Sequence, residues 1–451
     1  MLKSVIRKFQ LRIKQALSNI LILNMAIVGS ISLLVKVLGF YKETLVASFF
    51  GLSTLLDTYF IAILIPSFIQ SVFIGALKNL FIPNYVTELK TTQNKGSFQT
   101  YTFISITVLI LILALLSVIF VQFFLEIVFP DHDLAYYSLI RSQFYLVLPC
   151  LFFWGYTGFL KGLLEIKSKF LISSVSQFFV PIVIIICLLF FKSFMGDMVL
   201  AIGLTLGSFV SFLYLLITNI KENTIEFGRA KMNENIKMMF QQYTPKVTSG
   251  LLTGINPFVD QFFAAQLVVG SISAISYGTK IPAFSVTILI MAFGSVLLPH
   301  FSRLINENIE KAFKLLFKII KTVFITSAFI MLFAFIFSDD IIRILFERNE
   351  FTSNDTFIVS NIQKIALIYV PFYLCTLVCV NFLTATNKNK FMAWTSFWNL
   401  ILNLTMNIIL VKYYAVYGLV LSTTIVYVLA SFIYVGFTYN LFRRHLAQNI
   451  K

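Results

Sequence analysis

Three charged side chains fall inside apolar stretches that are long enough to cross a membrane. Lys36 lies in the first of these stretches, Asp260 in the seventh and Lys280 in the eighth. Because a helix rises about 1.5 Å per residue, all three are expected to reach a similar depth in the outer half of the bilayer. A charge facing lipid there would cost several kcal/mol. We therefore expect these groups to face a hydrated interior that suits an anionic ligand, with a Lys280–Asp260 salt bridge as the structural alternative.

Other polar residues are candidates for the same interior. Asn399, Asn403 and Asn407 recur every fourth residue and form one polar stripe, for which hydrogen bonding between helices is the simpler interpretation. Lys78 lies near the inner end of its stretch, where snorkelling is the simpler interpretation. The charge partners expected in the cavity or its gate are Glu43, Asp57 and Asp260. The residues expected to line the cavity are Gln70, Arg141, Asn256 and Asn403.

The chain as a whole has the composition of a polytopic membrane protein. Of its 451 residues, 59% are hydrophobic and 12% are charged, and the mean hydropathy is +0.89. Apolar runs of about 20 residues recur along the whole length, which is typical of membrane helices rather than of a transmembrane barrel. We predict an all-α protein with about 12 transmembrane helices in two pseudo-symmetric lobes of six. The predicted spans are 20–40, 56–85, 103–129, 135–160, 170–191, 198–217, 247–268, 272–298, 319–337, 358–383, 391–411 and 416–441.

Basic residues fall on alternate loops, which indicates the orientation in the membrane. Under the positive-inside rule, both termini are cytoplasmic. The net charge of +16 then reflects topology and attraction to anionic lipids rather than binding of nucleic acid. The predicted parts are a basic amino terminus (1–19), a first lobe (20–220), a cytoplasmic linker (221–242), a second lobe (243–442) and a cytoplasmic tail (443–451).

The sequence offers little that favours an enzyme. The four cysteines lie in apolar stretches and the three histidines are scattered, so neither a metal site nor a cofactor is expected. No loop is long enough to hold a catalytic domain, and no GxxxxGK[ST] phosphate loop occurs. We expect a transporter without catalytic residues, coupled to membrane potential, Na⁺ or H⁺ rather than to nucleotide hydrolysis.

A repeat relates the two predicted lobes. The stretches Ile65–Tyr85 and Ile281–Phe301 both begin Ile-Pro and carry a second proline at the same spacing. They are separated by close to half the chain, which is typical of transporters built from parallel repeats. Each proline removes a backbone hydrogen bond, so the second helix of each lobe is expected to kink and to line a central cavity.

Two stretches resemble the MurJ/MviN family of lipid II flippases. They are LVKVLGFYKETLVASFFGLSTLLDTYFIAILIPSFIQ, Leu34–Gln70, and INPFVDQFFAAQLVVGSISAISYGTKIPAFSVTILIMAFGSVLLPHFSR, Ile255–Arg303. The resemblance implies a two-lobed flippase of the multidrug/oligosaccharidyl-lipid/polysaccharide exporter superfamily in the bacterial inner membrane. Its partners would be undecaprenyl-pyrophosphate-linked glycan and membrane lipids, and we expect a monomer. The glycan would move from the cytoplasmic to the periplasmic leaflet by alternating access.

The resemblance also implies roles for individual residues. The family's phosphate-contacting arginines would correspond to Lys36, Lys42 and Lys280, and its acidic partners to Glu43 and Asp57. Lysine keeps the charge of arginine but lacks its bidentate fork for phosphate. The family usually has 14 spans, whereas 12 is typical of Wzx-type flippases for O-antigen, capsule or other polysaccharide units, which leaves the glycan open. A MATE-like, cation-coupled drug antiporter is the second alternative.

Overall fold

The computed structural model describes residues 20–91, 94–129, 132–293 and 297–449, and in these ranges every regular element is a helix. In chain order, the helices are α1 Ile20–Phe50, α2 Thr54–Ile69, α3 Gly75–Lys90, α4 Lys95–Val128, α5 Leu134–Val147, α6 Cys150–Ile166, α7 Phe170–Val175, α8 Phe179–Ile186, α9 Lys192–Met195, α10 Val199–Lys221, α11 Glu234–Ala265, α12 Ser271–Gly278, α13 Lys280–Phe293, α14 Leu297–Glu307, α15 Ile309–Ile336, α16 Ser338–Phe346, α17 Ser353–Ala385 and α18 Asn389–Asn449. A π-helical turn, Gln70–Ile74, joins α2 to α3.

Long apolar helices dominate the described part of the chain. Seven helical segments there are long and apolar enough to cross a membrane. The two longest, Phe170–Lys221 and Asn389–Ala447, have 52 and 59 residues, and each covers two of the predicted spans. The second breaks at Ala415, where φ is 47° and ψ is −128°, so α18 is two helices joined at a sharp turn. The prediction of an all-α polytopic membrane protein is confirmed, while the count of 12 spans stays a prediction.

Some helices extend beyond the apolar runs that predicted them. The first helix continues to Phe50 rather than ending at Phe40, and α11 begins at Glu234 rather than at Val247. Hydropathy detects the part of a helix that contacts lipid, whereas helical hydrogen bonding continues wherever the residues permit it. The additional turns carry charged residues and so extend the helices toward the edges of the apolar layer.

The described residues form two compact units. One consists of the chain before Ala47 together with Ile61–Gly254, and the other of Ala47–Phe60 together with the chain from Ile255 onward. Helices α1, α2 and α11 therefore each contribute residues to both units. The second unit is built around α17, which packs against α12 to α16 and against α18.

An aromatic cluster holds the inner part of the first unit together. The ring of Phe81 on α3 lies 4.5 Å from Phe159 on α6 and 6.1 Å from Phe98 on α4, between centroids. All three rings are fully or almost fully buried. Aromatic pairs at these separations add to the stabilisation that burial alone provides. The cluster fixes α3, α4 and α6 relative to one another.

The connector after α10 is bound along the first unit. Residues 222–233 contain no helix and run beside the start of α4. Gln99 Nε2 donates to the Thr224 carbonyl at 2.9 Å, and Gln99 Oε1 accepts from the Glu226 N–H at 2.9 Å. Gly96 and Gly228 approach so closely that a Cβ on Gly96 would lie 2.9 Å from the Gly228 nitrogen. The connector, residues 222–233, is thus held against the first unit by hydrogen bonds and close packing, and we call it the strap.

A buried carboxylate fixes the end of this strap. Glu88, near the end of α3, is fully buried and accepts from Asn233 Nδ2 at 3.0 Å and from Asn235 Nδ2 at 2.7 Å. Asn233 also caps α11, because its Oδ1 accepts from the Ile236 N–H at 2.9 Å. Buried carboxylates are tolerated when their oxygens are hydrogen-bonded. Glu88 thereby ties α3 to the first turn of α11.

Removal of this carboxylate is expected to destabilise the first unit. Glu88→Ala leaves the Asn233 and Asn235 amides without their acceptor, so we expect the free energy of unfolding to fall by about 2–4 kcal/mol. Thermal unfolding of the detergent-purified protein measures the change. The matched control is Glu226→Ala, because the Glu226 and Lys95 side chains are about half exposed and 3.7 Å apart. Such a pair contributes about 0.2–1 kcal/mol, and equal melting temperatures for the two variants would contradict the role given to Glu88.

Candidate functional site

The second predicted span has a polar exposed surface. From Thr54 to Lys90, every exposed residue is polar or proline, and no large apolar side chain in this range is exposed. The helix α4, by contrast, exposes many, such as Leu111, Leu115 and Phe123. A helix surface that meets lipid is apolar, whereas one that lines water is polar. The surface formed by α2 and α3 therefore faces a hydrated space. Its exposed residues are Thr54, Ser67, Ser71, Lys78, Asn79, Pro83, Thr87 and Lys90.

The two lysines that the sequence analysis placed on α1 differ in their surroundings. Lys36 is exposed. Lys42 is largely buried, and its Nζ lies 2.6 Å from Glu43 Oε1. The structure thus brings together one of the predicted phosphate-binding cations and one of the predicted acidic partners. Both residues of this ion pair, and Lys36, belong to the first unit.

Lys280 begins α13 directly after a break in the helical path. Thr279 separates α12 from α13. Pro282 has no N–H to donate to the Gly278 carbonyl, which accounts for the break. Lys280 itself is partly buried. The positive end of the α13 dipole and the charge of Lys280 lie at the same place. Because both favour an anion, they could hold an anionic group together.

Asp57 caps a helix that is distant in the sequence. Its Oδ2 accepts from the Gly270 N–H at 2.7 Å, and its Oδ1 accepts from the Ser273 N–H at 2.9 Å and from the Ser273 hydroxyl. Gly270 immediately precedes α12 and has φ +93°, which other residues rarely adopt. The carboxylate satisfies amides that the first turn of α12 would leave free. The sequence analysis expected Asp57 as a charge partner in the cavity or its gate, whereas its bonds in the structure are to Gly270 and Ser273, which the sequence analysis did not connect with it.

Asp260 lies in a polar cluster of the second unit. Asn407 Nδ2 donates to Asp260 Oδ1 at 3.0 Å and to Asn403 Oδ1 at 3.3 Å. Thr423 Oγ1 donates to Asp260 Oδ2 at 3.2 Å. Asn407 of the predicted asparagine stripe therefore bonds to another helix, and its partner there is the acid predicted within the membrane. Thr423 was missed, because a single threonine in an apolar helix gives no signal in the sequence.

This Asp260 cluster has the ligand chemistry of a small, hard cation. Two carboxylate oxygens, amide oxygens and a hydroxyl suit Na⁺, or a proton on the carboxylate, better than a transition metal. The described residues contain no group of three or more His, Cys, Asp or Glu that could hold a metal. The Asn407 Oδ1 atom is buried and accepts no hydrogen bond from the described residues. Such an atom beside a carboxylate is the kind of acceptor that a bound ion would satisfy.

The remaining predicted lining residues are distributed along the chain. Gln70 begins the π-helical turn of the second span, and Arg141 lies on α5; both are partly exposed. Turns of the π type are frequent at functional sites. Asn256 lies on α11, but its side chain is outside the part of the structure that is described.

An ion pair marks the turn between α15 and α17. Lys364 Nζ lies 2.7 Å from Asp339 Oδ2 and 2.9 Å from Asp339 Oδ1. The hydrogen bonds from Lys364 hold the pKa of the Asp339 carboxyl below its usual value. Asp339 lies on α16, between two apolar helices, so this pair stabilises a connection rather than a substrate site.

Comparison with known proteins supports this architecture. The family model for the lipid II flippase MurJ matches residues 46–450. The "probable lipid II flippase MurJ" of Rickettsia prowazekii (strain Madrid E) is 24% identical over 413 residues, which cover 88% of this chain and 80% of the relative. A solved lipid II flippase MurJ in an inward closed conformation has a TM-score of 0.78 at 24% identity, over 92% of this chain and 87% of that one.

A second solved structure shares the fold at lower sequence identity. It is an inward-facing conformation of a multidrug resistance MATE family transporter of the MOP superfamily, with a TM-score of 0.75 at 11% identity over 91% of this chain and 95% of that one. The family model, by contrast, identifies one branch of the superfamily and spans most of the sequence. This chain belongs to the MurJ family of lipid II flippases and is a multi-pass protein of the bacterial inner membrane.

Proposed function

We propose that this protein moves lipid II, an undecaprenyl-pyrophosphate-linked glycan, from the cytoplasmic to the periplasmic leaflet by alternating access. Membership of the family implies a transporter with a lipid-linked substrate. We assign the contacts with the pyrophosphate to Lys36, Lys42 and Lys280. We also propose that the protein has two lobes of six spans each, cytoplasmic termini and a monomeric state.

The polar surface of α2 and α3 carries this proposal. The hydrocarbon core of a bilayer is about 30 Å thick, and a glycan with a charged diphosphate crosses it only through a hydrated path. From Ser67 to Lys90, the second span supplies an exposed surface of polar residues and one proline for such a path. Cations beside it would offset the charge of the diphosphate, which could not be stripped of water without compensation.

The drug antiporter is less favoured than the flippase. The MATE transporter shares the fold at 11% identity, whereas the flippase family model covers residues 46–450. The described exposed surface of the second span contains two lysines, Lys78 and Lys90, and no carboxylate, which suits an anionic substrate rather than a cationic drug. Among flippases, a Wzx-type substrate would differ in the glycan and not in the diphosphate.

Complementation distinguishes these possibilities. We expect the gene to restore growth in a bacterial strain depleted of its own lipid II flippase, and to leave a strain that lacks its polysaccharide flippase uncorrected. The reverse pattern would assign the protein to another glycan. Drug resistance in a sensitive host, without either rescue, would favour the antiporter.

We further propose that the Asp260 cluster couples transport to Na⁺ or H⁺. Asp260→Asn removes the charge but keeps the shape of the side chain, so we expect flipping to become independent of the cation gradient and to slow by about 10-fold or more. Flipping of lipid II in proteoliposomes, with and without a Na⁺ or pH gradient, measures this. Asp339→Asn is the control, because Asp339 lies outside the apolar layer. A gradient dependence that survives in Asp260→Asn would exclude the cluster as the coupling site.

A further inference from the structure

Two lysines of the first unit lie together in the half of the membrane opposite Lys36. Lys78 is on α3 and Lys161 is on α6, and the side chain of Lys78 packs against Gly158, three residues before Lys161. In the predicted topology, both helices end at the cytoplasmic face. Lys161 stands one to two turns before the end of α6 at Ile166, which places it about 7–8 Å from that end.

The packing of these helices directs Lys78 toward Lys161. The aliphatic part of Lys78 crosses Gly158, one turn before Lys161 on α6. A Cβ on Gly158 would lie 2.9 Å from Lys78 Cδ and 3.4 Å from Lys78 Cγ. Any larger residue at position 158 would therefore displace the lysine. The glycine makes room for Lys78 to reach across α6, next to a residue of the same charge.

Snorkelling to lipid headgroups does not account for Lys78. A snorkelling lysine extends along an apolar surface that faces lipid. Lys78 instead lies on the exposed surface of the second span, which contains no exposed large apolar side chain and includes Ser71 and Asn79. The sequence-based interpretation of Lys78 as a lipid-facing anchor is thus not supported by its neighbours.

The charge of the pair is only partly compensated. Lys161 Nζ lies 3.8 Å from Glu165 Oε1, and Glu165 Oε1 also accepts from the Ser173 hydroxyl at 3.4 Å. The pair thus carries two positive charges, and the structure gives an ion pair with a carboxylate for Lys161 alone. Bringing like charges together in a partly buried place is unfavourable unless an anion joins them. A phosphate group would satisfy both ammonium groups through charge-assisted hydrogen bonds.

We propose that Lys78 and Lys161 form a second anion-binding site, at the cytoplasmic mouth of the hydrated path, for a phosphate or diphosphate headgroup. The identity of the ligand as the lipid II diphosphate rests on the proposed function. The same chemistry would also fit an anionic phospholipid. In the first case the site would receive the substrate before it reaches Lys36; in the second it would hold a structural lipid.

Binding to the full-length protein in phosphatidylcholine nanodiscs tests this site with two probes, undecaprenyl diphosphate and phosphatidylglycerol. We expect Lys78→Gln and Lys161→Gln each to weaken binding of undecaprenyl diphosphate by about 10-fold. Gly158→Ala should weaken it as well, because it displaces Lys78 without removing a charge. Lys78→Arg should retain binding, and Lys412→Gln, at an exposed lysine of α18 with no assigned role, should not alter it.

The outcomes separate this site from the proposed function. Loss of phosphatidylglycerol binding alone would support the anion site but assign it to a phospholipid, and would count against lipid II as its ligand. Unchanged binding of both probes in Lys78→Gln and Lys161→Gln would overturn the site. If Lys36→Ala still weakened binding of the diphosphate in that case, the flippase proposal would stand without the second site.

Discussion

Replacement of Lys36 or Lys280 by alanine is expected to abolish flipping while the protein still inserts in the membrane. Lys36 is exposed on α1, and Lys280 begins α13 where the helix dipole favours an anion. Each ammonium group is assigned to the diphosphate, so its loss leaves charge on the substrate uncompensated along the path through the membrane. Flipping of lipid II in proteoliposomes measures the effect, and the amount of protein in the membrane fraction shows that insertion is intact.

Charge-conserving variants separate binding from folding. Lys36→Arg and Lys280→Arg should retain flipping, because arginine keeps the charge and adds a bidentate fork for phosphate. Lys412→Ala is the matched control, since Lys412 is an exposed lysine of α18 that has no assigned role. Wild-type rates in both alanine variants would refute the cationic path. Loss of flipping in Lys412→Ala as well would indicate a general effect of surface charge instead.

The sequence predicts those features that depend on local composition. Apolar runs identify the helices, and the period of four in Asn403 and Asn407 correctly indicates a polar face, from which Asn407 bonds to Asp260 on another helix. The isolated charge at Asp260 also predicts polar partners on neighbouring helices, because a carboxylate in an apolar run requires them. In each case the physical requirement acts within one helix, so one stretch of sequence is enough to reveal it.

Features that depend on tertiary contact could not be predicted in this way. The polar strap after α10 looks like an ordinary loop, and only the structure shows that Gln99 binds two of its backbone groups. Lys78 resembles an interface anchor in the sequence, yet it lies on a polar face. Glu88 has no expected role in the sequence, yet it is buried among amides. Burial and direction are properties of the packed helices, and a single sequence does not contain them.

Loss of the Asp57 carboxylate is expected to release the first turn of α2 from α12. Asp57 is only 3% exposed, and Asp57→Ala leaves the Gly270 and Ser273 amides buried without an acceptor. Each such group costs about 1–3 kcal/mol, and the favourable interaction of a carboxylate with the start of α12 is lost as well. We therefore expect a decrease of about 3 kcal/mol in the free energy of unfolding. Thermal unfolding and hydrogen exchange at Gly270–Ser273 measure it.

Asp133 provides the matched control for this cap. It is the residue immediately before α5 and caps that helix, with Oδ1 accepting from the Tyr136 N–H at 2.8 Å, and it is exposed. Water replaces an exposed cap in part, so Asp133→Ala should cost about 1 kcal/mol. Faster exchange at Gly270–Ser273 in Asp57→Ala, but not in Asp133→Ala, is the result that the geometry requires. Equal stability of the two variants would mean that Asp57 is replaceable by water and that its buried bonds do not hold α2 to α12.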